Sequence, residues 1–86
     1  MQIKTHKQYE KSWKKLTPLQ RDRALGALTQ WLKAPTSPAL RLHQLKGEYY
    51  PQYSISAGRD LRFHFLTVSP DTIVLMAIGT HAQLYG

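Results

Sequence analysis

The sequence has no cysteine and no long apolar run. Without cysteine the chain has no disulfide, no thiolate zinc site and no thiol nucleophile, and this absence is compatible with a reducing compartment. No apolar stretch approaches the roughly 20 residues that a membrane-spanning helix needs. The N-terminal stretch MQIKTHKQYEKSWKKL is too polar to form the core of a signal peptide. We therefore expect a soluble, cytoplasmic protein without a membrane partner.

Acidic residues are also scarce. The 86 residues include 12 Lys and Arg but only 5 Asp and Glu, which gives a net charge of +7. Most of the basic side chains lie in residues 1–46, so the positive charge is concentrated in the first half. Such a charge attracts phosphate backbones, acidic protein segments or anionic lipid, and a solvated basic helix face is the alternative. Because the few carboxylates are scattered, we expect no metal site.

The first half of the chain has the pattern of a short strand followed by two helices. The strand is QIKT, and over residues 7–16 apolar side chains that include Tyr9 and Trp13 recur at helical spacing. In TPLQ, Thr17 is suited to cap a helix that starts with proline, which predicts a second helix over residues 17–33. The apolar stripe predicted for this helix consists of Ala24, Leu25, Leu28, Trp31 and Leu32. Both tryptophans are predicted to lie in the core.

After the break at APTSP, the apolar pattern changes to the period of two that is typical of strands. Three strands are predicted in QYSISA, LRFHFLTV and TIVLMAIG, with turns at GRD and SPD. The last strand is apolar on both faces, which predicts a central position in the sheet. The predicted order is β-α-α-β-β-β in one domain over residues 1–86. This is an α+β fold in which a helical hairpin packs on one face of a small, mainly antiparallel sheet.

Alternation within LRFHFLTV divides the third predicted strand between two faces. The residues predicted to face the helices are Leu61, Phe63 and Phe65. Arg62 and His64 then share the open face. If SPD closes a hairpin, Arg62 lies opposite Ile78, and His81 lies within about 10 Å of Arg62 along the strand axis. The i, i+4 spacing of His81 and Tyr85 places both on one side of a terminal helical turn.

A further polar stretch, RLHQLKGEYY, is predicted to border the same face and contributes Arg41, His43 and Lys46. Together these residues suit metal-independent cleavage of RNA, because imidazoles transfer protons near neutral pH and guanidinium groups bind phosphate. Each residue also has a structural alternative. The alternatives are a capping His81, a partly buried His64, an Arg62 paired with Asp60 or a C-terminal carboxylate, and a Tyr85 that anchors the tail.

These stretches resemble a known family. HQLKGEYYPQYSISAGRDLRFHF resembles the middle of RelE/ParE-superfamily toxins, in which L-x-G precedes an aromatic-led strand and G-x-D-x-R leads into an apolar strand. GTHAQLYG is similar to the end of the YafQ-like mRNA interferase branch, and LHQLKG resembles the His-Pro-Leu-x-Gly segment of that branch. The resemblance implies a toxin of a type II toxin–antitoxin system. Such a toxin is a ribosome-dependent mRNA endonuclease that works by 2′-OH attack, without a metal, cofactor or small-molecule substrate.

The resemblance also implies partners and residue roles. The partners are the ribosomal A site with its mRNA and rRNA, and an antitoxin whose acidic segment wraps the basic helices and the sheet. His81 corresponds to a proton-transfer histidine, Tyr85 to the terminal aromatic residue, and His43 to the histidine before the L-x-G turn. Asp60 and Arg62 correspond to the aspartate and arginine of the third strand. The RNA-binding or phosphate-binding residues are Arg41, Lys46, Arg59 and His64.

The sequence departs from the YafQ-like pattern on the second predicted strand. YafQ-like members carry a further Asp and His there, where this chain has residues such as Ile55 and Ala57. The predicted site therefore combines a YafQ-type tail with a RelE-type arginine. Two alternatives stay open at this point. One is a ParE-like toxin that inhibits DNA gyrase and needs no acid–base pair, and the other is a catalytically inactive relative that binds its antitoxin or RNA.

Overall fold

The computed structural model describes all 86 residues and contains three helices and five strands. Two short 3-10 helices, Pro38–Leu40 and Gly47–Tyr49, lie in the segment between the helical hairpin and the main strands. The helices and strands in chain order are β1 (Gln2–Thr5), α1 (Lys7–Lys14), α2 (Pro18–Lys33), β2 (His43–Gln44), β3 (Tyr53–Ser56), β4 (Leu61–Ser69), β5 (Thr72–Thr80) and α3 (His81–Tyr85).

The five strands form one sheet with the order β1-β5-β4-β3-β2. β1 pairs with β5 in parallel, and the other three pairings are antiparallel. β5 therefore lies between two neighbours, as its two apolar faces predicted. The predicted β-α-α-β-β-β order is confirmed. The two-residue strand β2 and the helix α3 are added to it.

Both helices of the hairpin begin where the sequence predicts. At the start of α2, the Thr17 hydroxyl accepts from the Gln20 backbone N–H at 3.1 Å, and the Gln20 side chain accepts from the Thr17 N–H at 2.9 Å. This reciprocal pair satisfies two backbone donors that a helix start leaves free. α1 is held to the sheet by Ser12, whose hydroxyl accepts from the backbone N–H of Ile78 at 3.1 Å.

The apolar stripe predicted for α2 is wrong at two of its five positions. Ala24 and Trp31 are buried, whereas Leu25 and Leu32 are 53% and 50% exposed. The side chains that pack against the core occupy a narrower arc of the helix, which includes the half-buried Leu28. A period of 3.6 marks the apolar side of a helix, but the width of the contact depends on the surface that the helix meets.

The core lies between the helices and one face of the sheet. Phe63 and Phe65 of β4 are buried there, as predicted. The Trp31 ring packs on Phe65 with 4.7 Å between ring centroids, and Tyr9 stacks on Phe63 at 6.4 Å. Trp13 is only partly buried at the edge of this cluster. The aromatic rings of both helices therefore fix how the hairpin sits on β4.

The β4–β5 register differs by one residue from the prediction near the end of the hairpin. Arg62 pairs with Gly79, not with Ile78. The cause is a bulge at Met76: His64 pairs with Ala77, whereas the next residue of β4 pairs with Leu75. A bulge inserts one extra residue into one strand and shifts every later pairing.

The helices are short, and the longest of them is α2, over Pro18–Lys33. None of the three has the length and the apolar character needed to cross a bilayer.

Candidate active site

Polar side chains form two cross-strand rows on the sheet face opposite the hairpin. In one row, His43 of β2 pairs with Ser54 of β3, which pairs with His64 of β4. In the other, Ser56 pairs with Arg62. Directly paired residues project to the same side of a sheet, and neighbouring strands lie about 4.8 Å apart. The backbone positions of His43 and His64 are therefore about 10 Å apart, and the predicted grouping of histidine and arginine on this face is present.

The terminal helix α3 brings His81 and Tyr85 to this face. Thr80 caps the helix in the same reciprocal way as at α2, accepting from the Gln83 N–H at 3.2 Å while the Gln83 side chain accepts from the Thr80 N–H at 2.8 Å. The His81 and Tyr85 rings lie 4.8 Å apart between centroids. A side chain at Gly79 would meet Gln83 at 3.1 Å, so glycine allows the helix to fold closely over β5.

The Tyr85 hydroxyl makes a hydrogen bond with a buried histidine. Its oxygen lies 2.9 Å from Nε2 of His64, which is 1% exposed. Tyr49 of the second 3-10 helix touches both rings edge-on, at 5.3 Å from Tyr85 and 5.6 Å from His64. The Tyr49 hydroxyl also donates to the carbonyl oxygen of Leu84 at 2.8 Å. These contacts close a small aromatic cluster over the sheet.

Burial sets the charge state of this cluster. Burial, with a smaller contribution from the positive charge of nearby His43, lowers the pKa of His64 from 6.5 to about 4. Burial, helped by Tyr49, raises the pKa of Tyr85, while Arg62 acts in the opposite direction. At neutral pH the His64–Tyr85 pair is therefore uncharged. This corrects the predicted role of His64 as a phosphate contact, because a buried, neutral ring bonded to Tyr85 does not offer a charge to RNA.

Arg62 is anchored by one of its terminal nitrogens. Nη1 donates to the carbonyl oxygens of Arg59 and Leu61, each at 2.9 Å, and lies 3.5 Å from the Ser56 hydroxyl. Its bonds go to backbone oxygens and serine, not to Asp60 as the structural alternative supposed. Nη2 and Nε have no hydrogen-bond partner within the chain, and a guanidinium can bind phosphate through such a forked pair.

The His43 ring is exposed and its tautomer is fixed by a neighbour. Nδ1 lies 2.9 Å from the carbonyl oxygen of Arg41. A carbonyl only accepts, so the neutral ring donates from Nδ1 and its Nε2 keeps a free lone pair. When the ring is neutral, Nε2 can therefore accept a hydrogen bond or a proton from another group.

The other predicted residues lie around the cluster and not inside it. Arg41 and Lys46 are exposed in the segment that carries His43. Arg59 and Asp60 form the β3–β4 turn and line a cleft of about 150 Å³ together with residues of α2. This turn needs left-handed backbone, with φ of +91° at Gly58 and +48° at Arg59. No group of three or more His, Cys, Asp or Glu side chains is placed to hold a metal ion.

Tyr49 is the residue that the sequence reasoning missed. It follows the predicted glycine turn and is adjacent to Tyr50, which is 64% exposed. No spacing in GEYY distinguishes the tyrosine that contacts His64 from the one that faces solvent. Only the 3-10 helix over Gly47–Tyr49 decides which ring turns inward.

No protein-family model and no curated protein matches the sequence. Solved structures match over nearly its whole length. YafQ from Escherichia coli strain BL21(DE3) is 20% identical with a TM-score of 0.72, covering 98% of this chain and 97% of YafQ. A chain of the E. coli DinJ–YafQ toxin–antitoxin complex is 23% identical with a TM-score of 0.69, and the match covers 98% of this chain and 96% of that one. A chain of the archaeal RelE–RelB complex from Pyrococcus horikoshii OT3 is 18% identical with a TM-score of 0.67, and the match covers 95% of this chain and 96% of that one.

The chain has the fold of the YafQ and RelE toxins. The fold expected from GTHAQLYG and the strand pattern is therefore confirmed. Within this fold, Ile55 and Ala57 are buried among the core residues under the helices. The β3 positions that face the cluster are Ser54 and Ser56. The departure from the YafQ-like pattern is thus a pair of serines at the site, because the two apolar residues point away from it.

Proposed function

We propose that this chain is the toxin of a type II toxin–antitoxin system and cleaves mRNA on the ribosome without a metal ion. One observation supports this most strongly. One face of the sheet carries the exposed imidazole of His81, the imidazole of His43 with its free Nε2 and the anchored guanidinium of Arg62. A gyrase-binding toxin has no need of such a set, because binding requires no proton transfer.

The proposed reaction uses the 2′-OH of the RNA as nucleophile. His43 Nε2 takes the 2′-OH proton, the 2′-oxygen attacks phosphorus, and the bond from phosphorus to the 5′-oxygen breaks. His81 in its protonated form supplies a proton to the leaving 5′-oxygen, which leaves a 2′,3′-cyclic phosphate and a 5′-hydroxyl. Arg62 stabilises the charge that develops on the phosphate oxygens. Tyr85 holds its place beside His81 and offers its ring, which is partly exposed, to a base.

The charge distribution supports the proposed partners. Arg41 and Lys46 are exposed in the segment that carries His43, Arg59 lies in the turn beside Arg62, and the two helices of the hairpin carry half of the 12 Lys and Arg residues. Positive charge of this kind binds rRNA and mRNA phosphates in a salt-dependent way. YafQ has been solved with DinJ and RelE with RelB as partners. By analogy, we propose that this chain is held by an antitoxin with an acidic segment, and that Asp60 assists at the rim of the site.

The test is primer extension on an mRNA translated by purified ribosomes in the presence of the chain. We expect discrete cuts that require ribosomes and that fall by roughly 10²- to 10⁴-fold in His81→Ala. The matched control is His6→Asn, since His6 lies at the start of α1 and its Nδ1 accepts from the Gln8 N–H, a bond that asparagine reproduces. This control should cut like the native chain.

Three outcomes contradict the proposal. If the native chain leaves mRNA intact while its expression causes a DNA damage response, the gyrase-inhibiting alternative is correct. If neither cuts nor growth arrest follow, the chain is the inactive relative. Equal cutting by the His81→Ala variant removes the assigned acid and with it the proposed mechanism.

A further inference from the structure

The helix α3 carries two proposed site residues but has little to hold it. It has five residues, none of them buried, and it lies at the end of the chain. Helices this short are unstable on their own in water. The cap at Thr80 orders its first turn only. The last turn, where Tyr85 lies, needs a separate restraint.

Two hydrogen bonds supply this restraint, and both come from outside the helix. The Tyr49 hydroxyl donates to the Leu84 carbonyl, one of the oxygens that a helix end leaves free. His64 Nε2 bonds the Tyr85 hydroxyl. His64 belongs to β4, which has a paired strand on each side, so its ring is fixed by the most constrained part of the sheet. The two bonds hold the adjacent residues Leu84 and Tyr85, and they come from two different segments, the second 3-10 helix and β4.

We infer that His64 and Tyr49 form a latch that fixes α3 over the sheet, so that His64 is a positioning residue for Tyr85 and, through α3, for His81. This inference rests on the proposed reaction for its functional consequence, but the latch itself is a property of the free chain. His64 does not touch RNA. It holds the tyrosine in one orientation, and the tyrosine packs against the proton-transfer ring at 4.8 Å.

A purely space-filling role does not account for His64. Its imidazole is buried on all sides, and a leucine would fill this position without the desolvation that a polar ring requires. The one hydrogen bond of the ring goes to Tyr85 across 21 residues of sequence. Removing the Tyr85 hydroxyl leaves the buried His64 ring without its hydrogen bond, so the two side chains are energetically coupled.

The experiment compares His64→Leu with His64→Gln in the full chain. Glutamine places an amide near the position of Nε2 and can restore the bond to Tyr85, whereas leucine cannot. In His64→Leu we expect amide hydrogen exchange at residues 84–86 to accelerate by about tenfold or more, since local opening becomes easier. RNA cleavage should fall by about 10- to 100-fold in kcat with little change in KM, because misplaced groups slow the chemistry. His64→Gln should recover most of both losses.

Three further variants keep the test decisive. Ile55→Val removes a buried methylene group on the helix face and should leave exchange in α3 and cleavage unchanged, which separates the latch from general loosening. Tyr49→Phe removes only the hydroxyl that bonds Leu84, and it should accelerate the same exchange even if His64→Leu fails to fold. The ¹⁵N shift of His64 Nε2 should move in Tyr85→Phe, since its bonding partner is gone.

The possible results separate the latch from the proposed function. Unchanged exchange at residues 84–86 in both His64→Leu and Tyr49→Phe overturns the latch. Faster exchange with unaltered kcat overturns the positioning role. If the native chain cuts no RNA but the exchange and ¹⁵N results are as expected, the latch stands and the proposed nuclease function fails.

Discussion

The two faces of the sheet are formed by the same strands but differ in their side chains and in the elements that cover them. On the helix side, β4 presents Phe63 and Phe65 to the hairpin, and the contact is continuous and apolar. On the other side, the same strand presents Arg62 and His64, and the cover is one short helix and one 3-10 helix. Alternation along a single strand therefore separates the residues that stabilise the fold from those that carry the proposed chemistry.

The difference in cover has a physical consequence. Burial of large apolar side chains stabilises a small domain by non-directional contacts, and many residues share the effect. The polar face depends on a few directed hydrogen bonds, and losing one at an exposed group changes the position of that group more than the stability of the fold. The comparison predicts that substitutions on the two faces will separate stability from activity.

The largest effect should come from Phe63→Ala set against His81→Ala. Phe63 is fully buried, and its truncation should lower the free energy of unfolding by about 3–5 kcal/mol, a large share of what a domain of this size has. His81 is exposed, so His81→Ala should change stability by less than about 0.5 kcal/mol. Urea unfolding measures both. A comparable loss of stability in His81→Ala would show that the two faces are not separable in this way.

An intermediate effect should appear when the pH is lowered. The pKa of His64 in the folded chain is about 4, below its ordinary value of 6.5, so between these values the unfolded chain takes up a proton that the folded chain does not. The free energy of unfolding should therefore fall as pH drops from 6.5 to 4, by on the order of 3 kcal/mol from this group, and the penalty stays constant below that range. The groups that face His64 are Tyr85 on α3, Tyr49 on the 3-10 helix and His43 on β2.

Urea unfolding of the native chain and of His64→Gln across this pH range is the measurement. The variant keeps every other titrating group, so the difference between the two curves isolates His64. We expect the native chain to lose stability more steeply than the variant. Parallel curves would mean that His64 is not held neutral by its surroundings and that the polar face is more open than described.

The smallest effect should distinguish the two capping threonines. Thr17 and Thr80 make the same reciprocal bonds, one at the start of α2 and one at the start of α3. Thr17→Ala should lower global stability by about 1 kcal/mol, which is about 4–8 °C in Tm for a small domain. Thr80→Ala should lower Tm by less than Thr17→Ala does, and it should accelerate amide exchange in α3 by more than Thr17→Ala does. Equal shifts in Tm for the two variants would show that α3 is part of the cooperative core.

Local patterns predicted a large part of this molecule. The capping sequence TPLQ fixed the start of α2, alternation assigned Phe63 and Arg62 to opposite faces, and the i, i+4 spacing put His81 beside Tyr85. Each of these features depends on residues close in sequence, whose geometry is set by the period of a helix or a strand. The change of apolar period from helix to strand after APTSP also predicted the order of the elements.

The features that could not be predicted depend on contacts distant in sequence. The bulge at Met76 shifted the pairing of Arg62, because nothing in an apolar run marks which residue is left unpaired. Leu25 was predicted to be buried, but the arc of α2 that meets the sheet is set by the packing of Trp31 on Phe65. Burial of His64 required α3 and Tyr49 to cover it, and they are 15 or more residues away in sequence.

The most direct measurement replaces the nucleophile itself. An mRNA with a single 2′-deoxynucleotide at the cut site would be translated by purified ribosomes in the presence of the native chain, beside the all-ribose mRNA. If the polar face acts through the 2′-OH, cleavage at that position should disappear while neighbouring sites are still cut. Continued cleavage at the deoxy position would contradict the account, because the imidazoles would then be activating something other than the ribose hydroxyl.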